Sequence, residues 1–270
     1  MVVELCIIFI DLVFTVLLTL FCVPTGHGYH YFAPFLFLIA GYLVGVIIMW
    51  CVLSLFTLPV SKKKKYAKPM KWANFWLTES IAYIDNHSGA KVKITYKEPL
   101  PNERFLLVCN HLSKFDPMLL TKYYGHKGLS FISKPTNFKV PIGGRFMRGA
   151  CYLSIDRYDK LQSLTIMNDA AELIKNGYTS VGVFPEGMRS LDGSLGPFHE
   201  GVFNIAKKAN CPIVITTISG TEKIKDNFPF KRSKVNFIVH KVLYPSDYQN
   251  LTAKNISDQA RNIMFEELKK

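Results

Sequence analysis

The sequence predicts an α/β protein in which a membrane-embedded hairpin of two helices precedes a single domain with a central, mostly parallel sheet flanked by helices. Three observations predict it. Residues 1–60 contain no Lys or Arg and only Glu4 and Asp11 as acids, whereas residues 61–270 hold all 33 bases. Two long apolar stretches fill that leader. Beyond it, short β-branched apolar runs alternate with segments of helical period.

The first stretch runs over residues 2–23 and is interrupted by Glu4 and Asp11. The second, residues 33–58, has no charge; at ~1.5 Å per residue it is about 39 Å long, enough for a hydrocarbon core of ~30 Å. Pro24, Gly26 and Gly28 mark a turn between them. Lys62–Lys65 and Lys68 follow the second stretch. Cytoplasmic flanks collect Lys and Arg, so the chain beyond the run is expected on the cytoplasmic side of the cell membrane. The same lysines are read either as a solvated flank or as a contact for anionic lipid, at about 1 kcal/mol each. Asp11 would be expensive alone in lipid, which leaves a shallower hairpin in one leaflet as the alternative to a full span. A multi-span transporter is excluded because only the leader is membrane-like. A hydrophobic content of 49% excludes a disordered chain.

In the body, residues 71–84 read as an amphipathic helix with Trp72, Phe75 and Trp76, suited to headgroups or to packing on the domain. Residues 92–96 alternate as a half-exposed strand. Residues 105–109 are a buried strand, and 118–124 a helix with Pro117 at its first position. Strands are expected at 129–132, 152–155, 180–184, 213–218 and 235–242. Helices are expected at 161–175, closed by Asn176-Gly177, and at 202–209 and 258–268. The six cysteines form no C-x-x-C or Cys/His cluster, so no zinc or other metal site is expected and they read as buried free thiols.

Polar loops after buried strands are where α/β folds put their chemistry. Three stand out. In Asn110-His111-Leu112-Ser113-Lys114-Phe115-Asp116, a carboxylate five residues after a histidine can fold back onto the ring and leave its other nitrogen as a base. Asp116 read alone can equally cap its helix. In Phe184-Pro185-Glu186-Gly187-Met188-Arg189-Ser190, Arg189 offers a forked phosphate contact, Gly187 a close backbone approach, and Glu186 a carboxylate to orient a ligand or to pair with Arg189. Lys134, the segment Lys139 to Arg145, and Arg157 add cations.

Asn110-His111 with Asp116, then Ile155-Asp156-Arg157, then Phe184-Pro185-Glu186-Gly187 with Arg189-Ser190, then Cys211-Pro212-Ile213-Val214 resemble the four ordered blocks of the glycerolipid acyltransferases. Among them the bacterial 1-acyl-glycerol-3-phosphate acyltransferases look most similar. The resemblance covers roughly residues 70–245, and the leader looks like their two-helix anchor. It implies that His111 is the general base on the free hydroxyl of a lysophospholipid such as lysophosphatidic acid, oriented by Asp116. It implies that Lys134 and Arg189 hold the acceptor phosphate, with Arg157 a further candidate, and that Glu186 and Gly187 shape the acceptor site. Acyl carrier protein or CoA would carry the acyl thioester, anionic lipids would be the surroundings, and no bound cofactor is implied. Domain bounds follow as 1–60 for the anchor, 61–90 for the basic juxtamembrane segment and its helix, and 91–270 for the catalytic α/β domain. Three positions depart from the family: Met188 replaces a usual threonine, Thr136 a frequent glutamate, and His199-Glu200 occupy a segment that often has lysine. The departures bear on the acceptor headgroup and keep another lysolipid acceptor open.

Rival chemistries are weaker. An acyl-enzyme on Cys109 competes with direct attack by the lipid hydroxyl. A serine hydrolase would need a G-x-S-x-G elbow, which the chain lacks. A tethered nucleic-acid binder would use the excess of bases, but the aromatics lie apart from them and no recognition motif is present, so no nucleic-acid partner is expected.

Overall fold

A computed structural model describes residues 1–22 and 32–268, so the turn expected at 24–31 lies outside the described residues. The chain divides into two compact units, Met1–Ser61 and Lys62–Lys270.

The first unit is a helix pair, α1 (Val2–Cys22) and α2 (Ala33–Phe56). Small residues let the two backbones approach. A Cβ on Gly41 would lie 2.4 Å from Asp11 Oδ1, and one on Gly45 would lie 3.0 Å from the Ile7 carbonyl oxygen. Asp11 is therefore buried against α2, where it accepts a hydrogen bond from Thr15 Oγ1 at 3.3 Å. Phe9, Leu12, Val16, Ile39, Leu43 and Ile47 face outward. Both helices are long and apolar enough to cross a membrane, with mean hydropathies of 2.7 and 2.6.

The second unit is built on seven strands: β1 (Ala90–Tyr96), β2 (Leu106–Cys109), β3 (Leu129–Ser133), β4 (Leu153–Ser154), β5 (Ser180–Val183), β6 (Ile213–Ser219) and β7 (Ser233–Leu243). They lie in the order β1-β7-β6-β2-β5-β3-β4. All pairings are parallel except β6 with β7. The central strands β2 and β5 are buried at every residue, as expected where helices cover both faces of a sheet. Edge strand β1 alternates instead, with Lys91 and Lys93 exposed, which protects the edge from pairing with other chains.

The helices are α3 (Lys71–Asn86), α4 (Phe115–Tyr124), α5 (Gly143–Gly149), α6 (Lys160–Lys175), α7 (Asn204–Ala209), α8 (Ile224–Asn227), α9 (Pro245–Tyr248) and α10 (Ala253–Leu268). Leu106, Val108, Val183 and Ile213 form one core with Ala170 of α6, Ile205 of α7 and Met264 of α10. Each fully buried aliphatic side chain there contributes about 1.5–3 kcal/mol. Tyr124 of α4 packs on Phe237 of β7, and α3 packs on α4 and α5. The aromatic face of α3 is divided: Leu77 and Tyr83 are buried, while Trp72 and Phe75 stay partly exposed. In the lysine run, Lys65 pairs with Asp169 of α6.

Three expectations shift. Helix α4 begins at Phe115, so Pro117 is its third residue, still within the first turn, where backbone N–H groups have no partner to lose. The segment expected at 202–209 starts as a tight turn at Glu200–Phe203 before α7. The cationic loop at 139–145 leads into an unforeseen helix, α5. Its Gly143-Gly144 start has poor helix propensity, but a Cβ on Gly144 would fall 2.3 Å from the Phe138 carbonyl oxygen, and Phe146 is fully buried. Packing decides this helix.

Candidate active site

The parallel strands β6, β2, β5, β3 and β4 all end on one edge of the sheet. Each residue singled out from the sequence lies just beyond one of those ends. His111 and Asp116 follow β2, Lys134 follows β3, Arg157 follows β4, and Glu186, Gly187 and Arg189 follow β5.

His111 is fixed on all sides. Its Nδ1 lies 2.7 Å from Asp116 Oδ2. Its backbone N–H donates to Glu186 Oε1 at 2.8 Å, and its carbonyl accepts from the Ser190 N–H at 2.8 Å. Its ring stacks on Phe184, with centroids 4.2 Å apart, and Phe184 stacks in turn on Phe131. Phe131 crosses β5 where a side chain is missing: a Cβ on Gly182 would meet its ring at 2.3 Å.

Asp116 is completely buried. Oδ2 accepts the N–H groups of Leu112 at 2.6 Å and Ser113 at 2.7 Å as well as the imidazole, and Oδ1 accepts Thr221 Oγ1–H. A carboxylate surrounded by donors is an acceptor only, so His111 Nδ1 carries the proton and Nε2 keeps a lone pair. Asp116 thus does more than the helix-capping alternative: it closes its own loop and orients the ring with the same oxygen.

Glu186 spends both oxygens on backbone, on His111 N–H and on Gly196 N–H at 2.8 Å each. It braces the histidine. Gly187 has a φ of 72° in the left-handed region, and a Cβ there would strike the His199 ring at 2.8 Å and approach Arg157 Nη1 at 3.8 Å. Arg157, Gly187 and His199 therefore gather at one point. Arg189 is exposed, one residue before Ser190, whose N–H holds the His111 carbonyl. Lys134 is exposed two strands from β2, about 10 Å at ~4.8 Å per strand. Among the described residues, no hydrogen bond or ion pair engages the side chains of Lys134, Arg157 or Arg189. The structure thus joins His111, Asp116 and Glu186 directly, sets Gly187 beside Arg157, and lines Lys134 and Arg189 along the same edge.

Sequence reasoning left Asn110, Phe184 and Thr221 without roles. Asn110 is buried and clamps β2 to β6, its Oδ1 accepting the Ile218 N–H at 2.8 Å and its Nδ2 donating to the Ile218 carbonyl at 3.0 Å. Thr221 had one available signal, its position just past the end of β6. Cys109 is fully buried, and burial drives its thiol pKa well above the ordinary range, which leaves it a poor nucleophile. Among the described residues, no cluster of His, Cys, Asp and Glu is arranged to hold a metal. A cavity of about 530 Å³ lined by Glu103, Arg104, Lys175 and Cys211 opens where β2 and β6 begin, at the edge opposite His111.

The model of the family described as Acyltransferase matches residues 91–219, taking in every one of these strand-end residues except Thr221. The matched segment runs from β1 to the end of β6 in the α/β unit. A 1-acyl-sn-glycerol-3-phosphate acyltransferase of Chlamydomonas reinhardtii is 32% identical over 200 residues, covering 72% of this chain and 57% of that protein. The chloroplastic 1-acyl-sn-glycerol-3-phosphate acyltransferase BAT2 of Brassica napus is 35% identical over 201 residues, covering 73% and 55%. The chain spans a little over half the length of these two relatives. The crystal structure of the 1-acyl-sn-glycerophosphate acyltransferase PlsC from Thermotoga maritima shares the fold, with a TM-score of 0.58 at 22% identity over 82% of this chain and 95% of that one.

Proposed function

We propose that this chain is a 1-acyl-sn-glycerol-3-phosphate acyltransferase. It moves a fatty acyl group from a thioester of acyl carrier protein or CoA to the sn-2 hydroxyl of lysophosphatidic acid, giving phosphatidic acid. One observation carries the reading: His111 Nδ1 is bonded to the buried Asp116, so Nε2 is the available base.

Nε2 takes the hydroxyl proton as the oxygen attacks the thioester carbonyl, and a C–O bond forms. The tetrahedral intermediate collapses, the C–S bond breaks, and the departing thiolate recovers the proton from Nε2. Asp116 offsets the transient imidazolium charge. Lys134, Arg157 and Arg189 hold the acceptor phosphate, with guanidinium forks suited to its oxygens. Glu186 acts through the His111 backbone, and Gly187 keeps room beside Arg157. No bound cofactor takes part in these steps. The apolar helices anchor the enzyme in the cell membrane, with the lysine run and α/β unit on the cytoplasmic side.

The test is phosphatidic acid formation by the purified full chain from lysophosphatidic acid with each donor. No product with either donor overturns the reading. Acylation of another lysophospholipid in preference to lysophosphatidic acid moves it to the alternative acceptor, for which the exposed Met188 and the His199 ring beside Gly187 are the structural grounds.

A further inference from the structure

Residues 220–232 connect β6 to β7 at the same edge as His111, directly after the turn where Thr221 grips Asp116. The connection is built rather than frayed. Ile224 is fully buried beneath it, Lys231 N–H donates to the Asn227 carbonyl at 2.7 Å, and Asn227 Nδ2 donates to Ser233 Oγ at 2.9 Å. This ordered loop nevertheless turns two rings outward: Phe228 is 54% exposed and Phe230 is 94% exposed. Lys223, Lys225, Lys231 and Arg232, all exposed, flank them against the two acids Glu222 and Asp226.

We propose that the 223–232 loop is a membrane-docking element of the α/β unit, inserting Phe228 and Phe230 into the headgroup region of an anionic bilayer. An apolar tip between cationic shoulders has the division an interface requires: rings reach the acyl boundary while ammonium and guanidinium groups meet lipid phosphates. An acidic carrier protein would be served by the bases alone, and a ring as open as Phe230 would gain nothing from it. Docking sets the edge that holds His111 and Asp116 at headgroup level, independently of α1 and α2. The reading concerns a surface and stands whether or not the acyl acceptor is lysophosphatidic acid.

The test is hydrogen exchange of the full chain in detergent, in phosphatidylcholine nanodiscs and in nanodiscs that also contain phosphatidylglycerol. Amides of Phe228, Phe230, Lys231 and Arg232 are expected to exchange several-fold more slowly in the anionic discs than in either other setting. A Phe230→Ser, Lys231→Glu, Arg232→Glu variant is expected to lose that protection. Should that variant misfold, Phe230→Trp decides, through extra fluorescence quenching by brominated lipid relative to the unsubstituted chain. Equal exchange in all three settings with no extra quenching overturns the proposal. So does protection that appears only on adding acyl carrier protein.

Discussion

His111 and Asp116 are held by partners inside the fold: Leu112, Ser113 and Thr221 on the carboxylate, Glu186 and Ser190 on the histidine backbone, Phe184 against the ring. Along the same edge, Lys134, Arg157 and Arg189 stand exposed, their side chains with no hydrogen bond or ion pair to the described residues. Under the proposed mechanism the difference separates two tasks. A base must meet a hydroxyl within a few tenths of an ångström, so its orientation is set before substrate arrives. Phosphate is multiply charged and tolerant of direction, so long cationic side chains can close on it when it binds.

The sharpest way to break this contrast is at the ring itself. His111→Ala is expected to lower kcat by about 10²–10⁴-fold, the usual worth of a general base, and to destabilise less than loss of Asp116, because the carboxylate keeps its donors from Leu112, Ser113 and Thr221. Retained turnover would remove the base from the mechanism. Asp116→Ala is expected to lower kcat comparably and also to destabilise, by about 1–3 kcal/mol for each buried donor left unpaired. A thermal melt of both variants tests the contrast, since only Asp116 also closes the loop. Next in size, Arg189→Ala is expected to raise the acceptor KM about tenfold, as one charge-assisted contact of ~1.4 kcal/mol would, with kcat, donor KM and melting temperature near those of the parent. A matching loss of stability would place Arg189 with the prearranged group. Smallest is Cys109→Ala, expected to leave kcat within about twofold, a difference of some tenths of a kcal/mol. Burial pushes the Cys211 thiol up to about 12 and Cys109 further still. At pH 8 both therefore remain protonated, and iodoacetamide followed by mass spectrometry should find them unmodified in the folded chain. A trapped thioester at Cys109 would reverse the direct-attack mechanism.

Much of the site was legible because strand-end loops are short and local. The spacing of His111 and Asp116 already allowed the fold-back that the 2.7 Å contact realises. Glu186 was harder. Its sequence neighbours Gly187 and Arg189 suggested a ligand or an ion pair, but its two acceptors are taken by the backbones of His111 and Gly196, seventy-five and ten residues away. Helix α5 was missed for a related reason: Gly143-Gly144 argues against a helix until Phe138 and Phe146 are packed around it.

By itself the sequence determined the two apolar helices, the alternation that builds an α/β sheet and the residue types that end its strands. Each is set by local periodicity and by the free energy of leaving water, which operate within a few neighbouring residues. Only the tertiary structure decided that Glu186 braces His111, that Thr221 closes the second oxygen of Asp116, and that Phe230 is turned outward at the edge that holds His111. Those outcomes depend on which strands become neighbours, and parallel pairing joins segments a hundred residues apart whose register no local pattern encodes.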